Sequence, residues 1–329
     1  MTKPKLTVLT DPVPTGQYFF VEKFKNLLRP VKWRITRVPE RIRNAKYRGH
    51  FAVTRSLVEG LEKIGVSASY NPRNLEQVAE VVVVLSGLDA LKQAIGWKRS
   101  GRIKRLLSGP NLVVFPSDAR DLIAAPEVDL YITPCELTDK MYVQDCPELQ
   151  GRTAIWPAGV DTDYWCPSAD TKSATSVLIF EKTNKGTVTS INDYISVIKR
   201  LGYHVNVIVY GNYSFDQYLR LLQQSCLIIG FAASESQGIA WAEAWSTDVP
   251  TLLWYQDLQV YRGRKLLSST APYLSAETGL FFRSLGEFET TLKQWEASKR
   301  TFHPRQWVLE NMSDEVCARR LCRLAGIEF

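Results

Sequence analysis

Residues 234–245 read SESQGIAWAEAW. They follow the unbroken apolar run 227–233, LIIGFAA, which has the pattern of a buried strand. Ser234 is a good helix N-cap, and Ala240, Trp241, Ala242 and Ala244 continue as helix. Pro250 closes the unit, and 251–255, TLLWY, has the composition of the next strand. Strand, tight loop, helix, strand is the unit of a parallel sheet, whose ligands bind at the carboxyl ends of its strands.

Two carboxylates, Glu235 and Glu243, bracket this loop and helix. Eight residues of helix rise about 12 Å, roughly the distance between the two sugars of a nucleotide sugar. Ser236, Gln237 and Gly238 lie between them, and the backbone N–H groups of a helix start attract anions. Gly238 lets a phosphate approach the backbone closely. One element can thus hold hexose hydroxyls at Glu235, a diphosphate on amides and ribose hydroxyls at Glu243. Taken alone, the two glutamates equally fit two solvated helix carboxylates.

The Glu-x7-Glu stretch resembles the signature of retaining GT-B glycosyltransferases, above all glycosyltransferase family 4. A second segment, 156–167 WPAGVDTDYWCP, resembles the Gly-Val-Asp-Thr segment that opens the C-terminal domain of that family. A third, 177–186 VLIFEKTNKG, sits where the family has a strand followed by Arg and Lys for the diphosphate. The resemblance implies an α/β GT-B architecture, two Rossmann-like domains with parallel sheets facing a central cleft. It places an acceptor-side domain at 1–157, a nucleotide-sugar-binding domain at 158–303, and a C-terminal helical stretch at 304–329 that crosses back to the first domain.

The chain has 329 residues, enough for two such domains, and a net charge of +7. The positive excess lies in the first half. Residues 1–160 hold 24 Lys and Arg against 16 Asp and Glu. No run of about 18 apolar residues is long enough to span a membrane, and the N-terminus lacks the apolar core of a signal peptide. Six scattered cysteines, without Cys-x-x-Cys pairs or histidines at zinc spacing, read as reduced structural thiols of a cytoplasmic protein. Between a first strand at 5–9 and a helix at 52–64, residues 12–48 read as an insertion, in which 23–48 holds ten basic residues and one acid. This stretch and a second cluster, Trp97 to Arg105, mix cations with aromatics and suit an anionic membrane surface as well as a solvated basic face.

The glycine turn before the first helix resembles the turn that faces the donor in the family. Gly49 is retained, and His50 stands where a second glycine is common. A strand read at 111–116 would put Ser117 and Asp118 at its carboxyl end, which makes Asp118 a third cleft candidate with Gly49 and His50. Asp161-Thr-Asp163 spells the Asp-x-Asp metal motif of GT-A enzymes. It lies inside the Gly-Val-Asp segment, where Asp161 is expected to order the domain junction through backbone hydrogen bonds. Lys182 and Lys185 follow the strand 177–180 and would stabilise charge on the leaving diphosphate. The family pattern has Arg where this chain has Phe180. Gly211, Asn212 and Tyr213 form the turn that by resemblance lies near the base. Tyr213 fits either base stacking or a half-buried loop aromatic.

The implied activity is retaining transfer of a sugar from a nucleoside diphosphate sugar to a saccharide or lipid-linked acceptor. It would need no metal or cofactor and would take place in the cytoplasm or on the inner face of the membrane. Competing readings are a non-catalytic nucleotide-sugar-binding module, an epimerase or phosphorylase of the same fold, and a nucleic-acid-binding protein. The last lacks any recognisable nucleic-acid motif.

Overall fold

The computed structural model describes residues 3–10, 49–168, 172–183 and 191–328. The basic insertion expected at 12–48 and Lys185 lie outside these residues. The chain forms two compact α/β units. Unit 1 is drawn from Met1–Gly159 and Asp314–Phe329, and unit 2 is Val160–Ser313.

Unit 1 runs β1 (Leu6–Leu9), α1 (Gly49–Lys63), β2 (Ala68–Tyr70), β3 (Val81–Ser86), α2 (Leu88–Arg99), β4 (Arg105–Asn111), α3 (Arg120–Ile123), β5 (Leu130–Thr133), α4 (Glu136–Asp145) and β6 (Thr153–Ile155). Its six strands are all parallel, in the order β2-β1-β3-β4-β5-β6. The run VVVL at 82–85 of β3 is buried on both faces, as a parallel strand under two helical layers must be. Val82 and Val84 pack with Ala90, Leu91, Ala94 and Ile95 of α2. Helix α1 buries Val53, Leu57 and Leu61, one stripe at helical spacing. Gly65, at φ 72°, ends it in a Schellman turn, with Val66 N–H donating to Leu61 O and Gly65 N–H to Glu62 O.

The strand expected at 111–116 lies earlier. β4 is RLLSGPN, and Asn111 is its last residue. The apolar Val113-Val114-Phe115 stretch drew the reading forward, because a Gly-Pro pair argues against a central strand. Here Gly109 is required. A Cβ on it would stand 2.2 Å from Ile132 O, where β4 meets β5. Asp118 consequently falls in a 3-10 turn, Pro116–Ala119, seven residues beyond the strand end.

Unit 2 runs β7 (Ser176–Lys182), α5 (Ile191–Arg200), β8 (His204–Val209), α6 (Phe215–Gln224), β9 (Leu227–Ala232), α7 (Ile239–Ser246), β10 (Thr251–Trp254), β11 (Leu258–Tyr261), β12 (Arg264–Leu267), β13 (Gly279–Phe282), α8 (Leu285–Ala297) and α9 (Pro304–Asn311). Five parallel strands form the sheet β13-β10-β9-β7-β8. Val177, Ile179, Ile229 and Phe231 on one face pack with Tyr194, Ile198, Phe288 and Trp295 of α5 and α8. Strands β11 and β12 form a separate antiparallel hairpin inserted between β10 and β13. Its two-residue turn, Arg262 (φ 49°) and Gly263 (φ 75°), has the positive φ pair of a type I′ turn.

The helical stretch expected within 304–329 is two helices. It breaks at Met312 and Ser313, and α10 (Asp314–Ala325) belongs to unit 1 while α9 stays in unit 2. At the break Met312 O accepts the Val160 N–H, which diverts the chain from helix into a β-bridge between Val160 and Ser313. Among the described residues, no helix is long and apolar enough to cross a membrane. All six cysteines are free thiols.

The basic cluster Trp97 to Arg105 is engaged locally. Lys98 pairs with Asp129 at 2.7 Å, Arg99 with Glu127 at 2.6 Å and Lys104 with Glu80 at 2.8 Å. Arg102 donates to the carbonyls of Leu75 and Val78, and Arg105 to that of Leu324. Trp97 packs on the core of unit 1. Trp97 is half-buried, and Arg99 and Lys104 keep exposed side chains within these pairs.

Candidate active site

The chain enters the unit 2 sheet at β7, moves to β8 on one side and returns to pair β9 on the other. Strand order reverses between β7 and β9. In open parallel sheets, ligands bind in the crevice outside the carboxyl ends of the strands at such a point. Lys182 is the last residue of β7, in register with Ala232, the last of β9. The loop 233–238 follows directly.

Across that crevice, Lys182 Nζ donates to Glu235 Oε1 at 2.6 Å. The ammonium also lies 4.5 Å from the centre of the Tyr210 ring, a cation–π contact. Burial works against the charge on Lys182. The Glu235 carboxylate, with Tyr210 and Glu243 behind it, outweighs that and holds the lysine pKa above its ordinary 10.5. On the alkaline side, the contribution of the charged lysine is fully present up to pH 10.5 and is lost as pH rises through the raised value. At neutral pH the crevice therefore holds a fixed ammonium.

Alternation along β7 accounts for the departure at Phe180. Residues i and i+2 share a face, and Phe180, fully buried, sits beneath Tyr210 while Lys182 reaches over it. The position that carries Arg in the resembled pattern belongs to the core here, and the cation is two residues further on. Tyr213 belongs to that core as well. Its ring packs edge-on to Phe180 at 5.7 Å and lies 5.4 Å from Tyr218, so it is a buried aromatic and presents no face to a base. Tyr210, three residues earlier and exposed, is the aromatic at the crevice. Gly211 is buried in the turn at φ 88° and Asn212 is exposed beside it.

The helix start differs from expectation. Helix α7 begins at Ile239, and Gly238 is its N-cap in the left-handed region, φ 78° and ψ 50°. Ser234 caps nothing, and Glu235 to Gln237 are loop. A Cβ on Gly238 would lie 2.5 Å from the Trp241 ring, so the turn and the tryptophan both require a glycine here. The first-turn amides belong to Ile239 and Ala240, not to Ser236 and Gln237. A helical rise between the two glutamates does not apply, since only 239–243 of that span is helix. Glu243 is buried, and its charge reaches both Lys182 and Tyr218.

The loop is held from a distance in sequence. Glu235 N–H donates to Ser269 O at 2.8 Å. Ala233 O accepts from Gln256 Nε2 at 2.7 Å and from Ser268 Oγ at 3.0 Å. Trp241 Nε1 donates to Thr270 O at 2.8 Å, and Tyr218 OH to Ala240 O at 2.8 Å. Gly230 in β9 leaves room for the Trp241 ring, which would stand 2.5 Å from a Cβ there. At the other end of α7, Arg305 donates to Ser246 O at 2.6 Å and to Trp165 O at 3.3 Å, a cation on a helix C-terminus. Gln256, Ser268 and Ser269 escaped the sequence reading. Gln256 carried one signal, its place just beyond the carboxyl end of a parallel strand.

Asp161 Oδ1 accepts the amides of Asp163 at 3.2 Å and Tyr164 at 3.4 Å, an Asx turn at the start of unit 2. Among the described residues, no three His, Cys, Asp or Glu side chains gather as a metal site. In unit 1, Gly49 is the exposed first residue of α1, at φ 51°. The His50 side chain lies outside what is described, as does Lys185.

No family model matches the chain, and no curated protein matches it by sequence. Solved structures do resemble it. Anabaena HepE in complex with UDP covers 98% of this chain and is covered over 99% of its own, with a TM-score of 0.58 at 10% identity. A glycosyltransferase from Rickettsia africae ESF-5 gives 99% and 98% coverage, TM-score 0.55 and 8% identity. The chain has the GT-B fold. The apo form of the lipopolysaccharide outer core galactosyltransferase WaaB shares this GT-B fold over 83% of this chain and 79% of its own, with a TM-score of 0.51 at 12% identity.

Proposed function

We propose that the protein is a retaining glycosyltransferase that moves a sugar from a nucleoside diphosphate sugar to a glycan or lipid-linked acceptor. The observation that carries this reading is the Lys182–Glu235 pair at the strand-order reversal of unit 2. A fixed cation there suits a diphosphate, and a carboxylate beside it suits sugar hydroxyls. HepE, of the same fold, was solved with UDP, and WaaB is a galactosyltransferase.

In this reading Lys182, joined by Lys185, neutralises charge on the departing diphosphate. Glu235 orients the hexose and is not a covalent nucleophile. Glu243 takes the ribose, the 236–238 loop and the start of α7 take the phosphates, and Gly211 and Asn212 border the base. The leaving phosphate accepts the acceptor's proton on the same face, which preserves anomeric configuration. Acceptor contacts come from unit 1, with Gly49, His50 and Asp118 as candidates.

A thermal-shift panel of UDP-, GDP-, ADP- and TDP-sugars tests the reading. A ligand of the native state stabilises by about 2.7 kcal/mol at a hundred times its Kd. One base class is expected to raise the melting temperature with concentration. No shift with any of the four at millimolar levels would remove the donor assignment. Transfer is further expected to survive EDTA unchanged, because the Asp161 carboxylate is engaged by backbone amides. Loss of activity in EDTA that Mn²⁺ or Mg²⁺ restores would show that a metal takes part after all.

A further inference from the structure

The hairpin β11–β12 combines two features that rarely occur together on a solvated surface. Its cross-strand pairs are Leu258 with Leu267 and Val260 with Lys265, so these four side chains share one face. On that face Leu258, Val260 and Leu267 are 55%, 66% and 59% exposed. Its tip carries exposed Arg262 and Arg264, with Lys265 next in the strand. From 258 to 267 the hairpin has three cations and no acidic residue. Four residues per strand let it project roughly 13 Å.

Its base is fixed beside the candidate site. Ser268 N–H closes the hairpin on Asp257 O at 2.8 Å, and Asp257 is itself held by Arg283 at 2.7 Å. Ser268 Oγ and Ser269 O then bond the loop that carries Glu235.

We propose that this hairpin docks unit 2 on an anionic lipid bilayer. The charge is complementary to acidic headgroups, and an apolar face next to a cationic tip is the arrangement that enters the interface between headgroups and acyl chains. A soluble polyanion would use the cations but leave Leu258, Val260 and Leu267 in water. A second copy of this chain would meet the same three cations. Half-buried Tyr261, at the turn, sits where interfacial aromatics lie. The docking goes beyond the transferase reading and does not depend on it. Only its use, to bring a lipid-borne acceptor to the neighbouring crevice, rests on that reading.

The test is flotation of the full chain with vesicles of phosphatidylcholine alone and of phosphatidylcholine with phosphatidylglycerol, at low and high salt. Binding is expected only with phosphatidylglycerol, falling at high salt. Each basic residue near an anionic surface strengthens binding about fivefold, so Arg262→Glu/Arg264→Glu/Lys265→Glu should weaken it at least about a hundredfold. Leu258→Ser/Val260→Ser/Leu267→Ser should weaken it with the charges kept. Circular dichroism and the nucleotide thermal shift of each variant report folding and the donor site, so failure of docking is separable from failure of the transferase reading. If a triple variant does not fold, the single changes Lys265→Glu and Val260→Ser carry the test, each expected to weaken binding severalfold. Absence of binding at low salt overturns the proposal, as does binding that the hairpin variants leave intact. So does a hairpin-dependent dimer in sedimentation without vesicle binding, which would make this face a contact between copies.

Discussion

Replacing Glu235 by alanine is expected to lower sugar transfer by about 10²–10³-fold while the protein stays folded, the scale of losing one preorganised electrostatic contact in an active site. Two losses combine. The hexose loses its carboxylate, and the Lys182 ammonium loses the partner 2.6 Å away that fixes its position over Tyr210. The variants Glu235→Gln and Lys182→Met separate them. Glu235→Gln keeps a hydrogen-bond acceptor for Lys182 but no charge, and is expected to retain part of the activity. Lys182→Met removes the cation and should raise the KM for donor as well as lower kcat, because a diphosphate is bound in both ground and transition states. In a double-mutant cycle the two changes are expected to be strongly non-additive, since the side chains touch. The backbone of the loop does not depend on either side chain, because Glu235 N–H and Ala233 O are held by Ser269, Ser268 and Gln256. Circular dichroism should therefore change little, while the melting temperature falls by what the pair contributed. Normal turnover by a folded Glu235→Ala protein would remove the site assignment.

The parts of this site that were legible in the sequence are those fixed by local pattern. Continuous apolar runs such as 227–233 placed β9, and its carboxyl end placed Glu235 near a ligand. Lys182 stood out as a cation at a strand end. What was hidden depended on contacts from far along the chain. Ser234 is as good a cap as any, yet the helix waits until Ile239. The loop is drawn to Ser268 and Ser269, more than thirty residues on, and Gly238 takes the left-handed turn. Tyr210 and Tyr213 look alike in sequence. Packing against Phe180 and Tyr218 buries Tyr213 and leaves Tyr210 at the crevice. β4 was displaced because Gly109 and Pro110 weaken the strand pattern, while the close approach of Ile132 O demands the glycine. The hairpin was missed for a related reason. Only its first strand, LQVY, hints at alternation, and only the register shows that Leu258, Val260 and Leu267 share one exposed face.

Asp314→Ala is expected to be the most destabilising single change in unit 1, by about 3–5 kcal/mol. Asp314 opens α10, where the chain re-enters unit 1, and its carboxylate takes two hydrogen bonds from the Arg55 guanidinium of α1, at 2.6 Å and 3.1 Å. The side chains are 7% and 0% exposed. Burial alone would disfavour the Arg55 charge, but the hydrogen bond and charge of Asp314, aided by Glu59, raise its pKa above the ordinary arginine value, so it stays ionised. Removing Asp314 therefore takes from a buried cation its bidentate carboxylate, and Glu59, at 3.0 Å and half-exposed, is a weaker answer to the charge. An acidic residue is also lost from the first turn of α10, where it favours the helix dipole. The space cannot readily close, because α10 lies directly on α1 at Gly60. A Cβ there would stand 2.4 Å from Asp314 O. For a unit of this size, the loss corresponds to a fall in Tm of about 10 °C. Arg55→Met/Asp314→Leu should recover much of it, since replacing both partners by apolar residues leaves no stranded charge. A fall below about 1 kcal/mol for Asp314→Ala, the scale of an exposed ion pair, would mean that water or Glu59 already carries the arginine and that the pair does not anchor the returning helix.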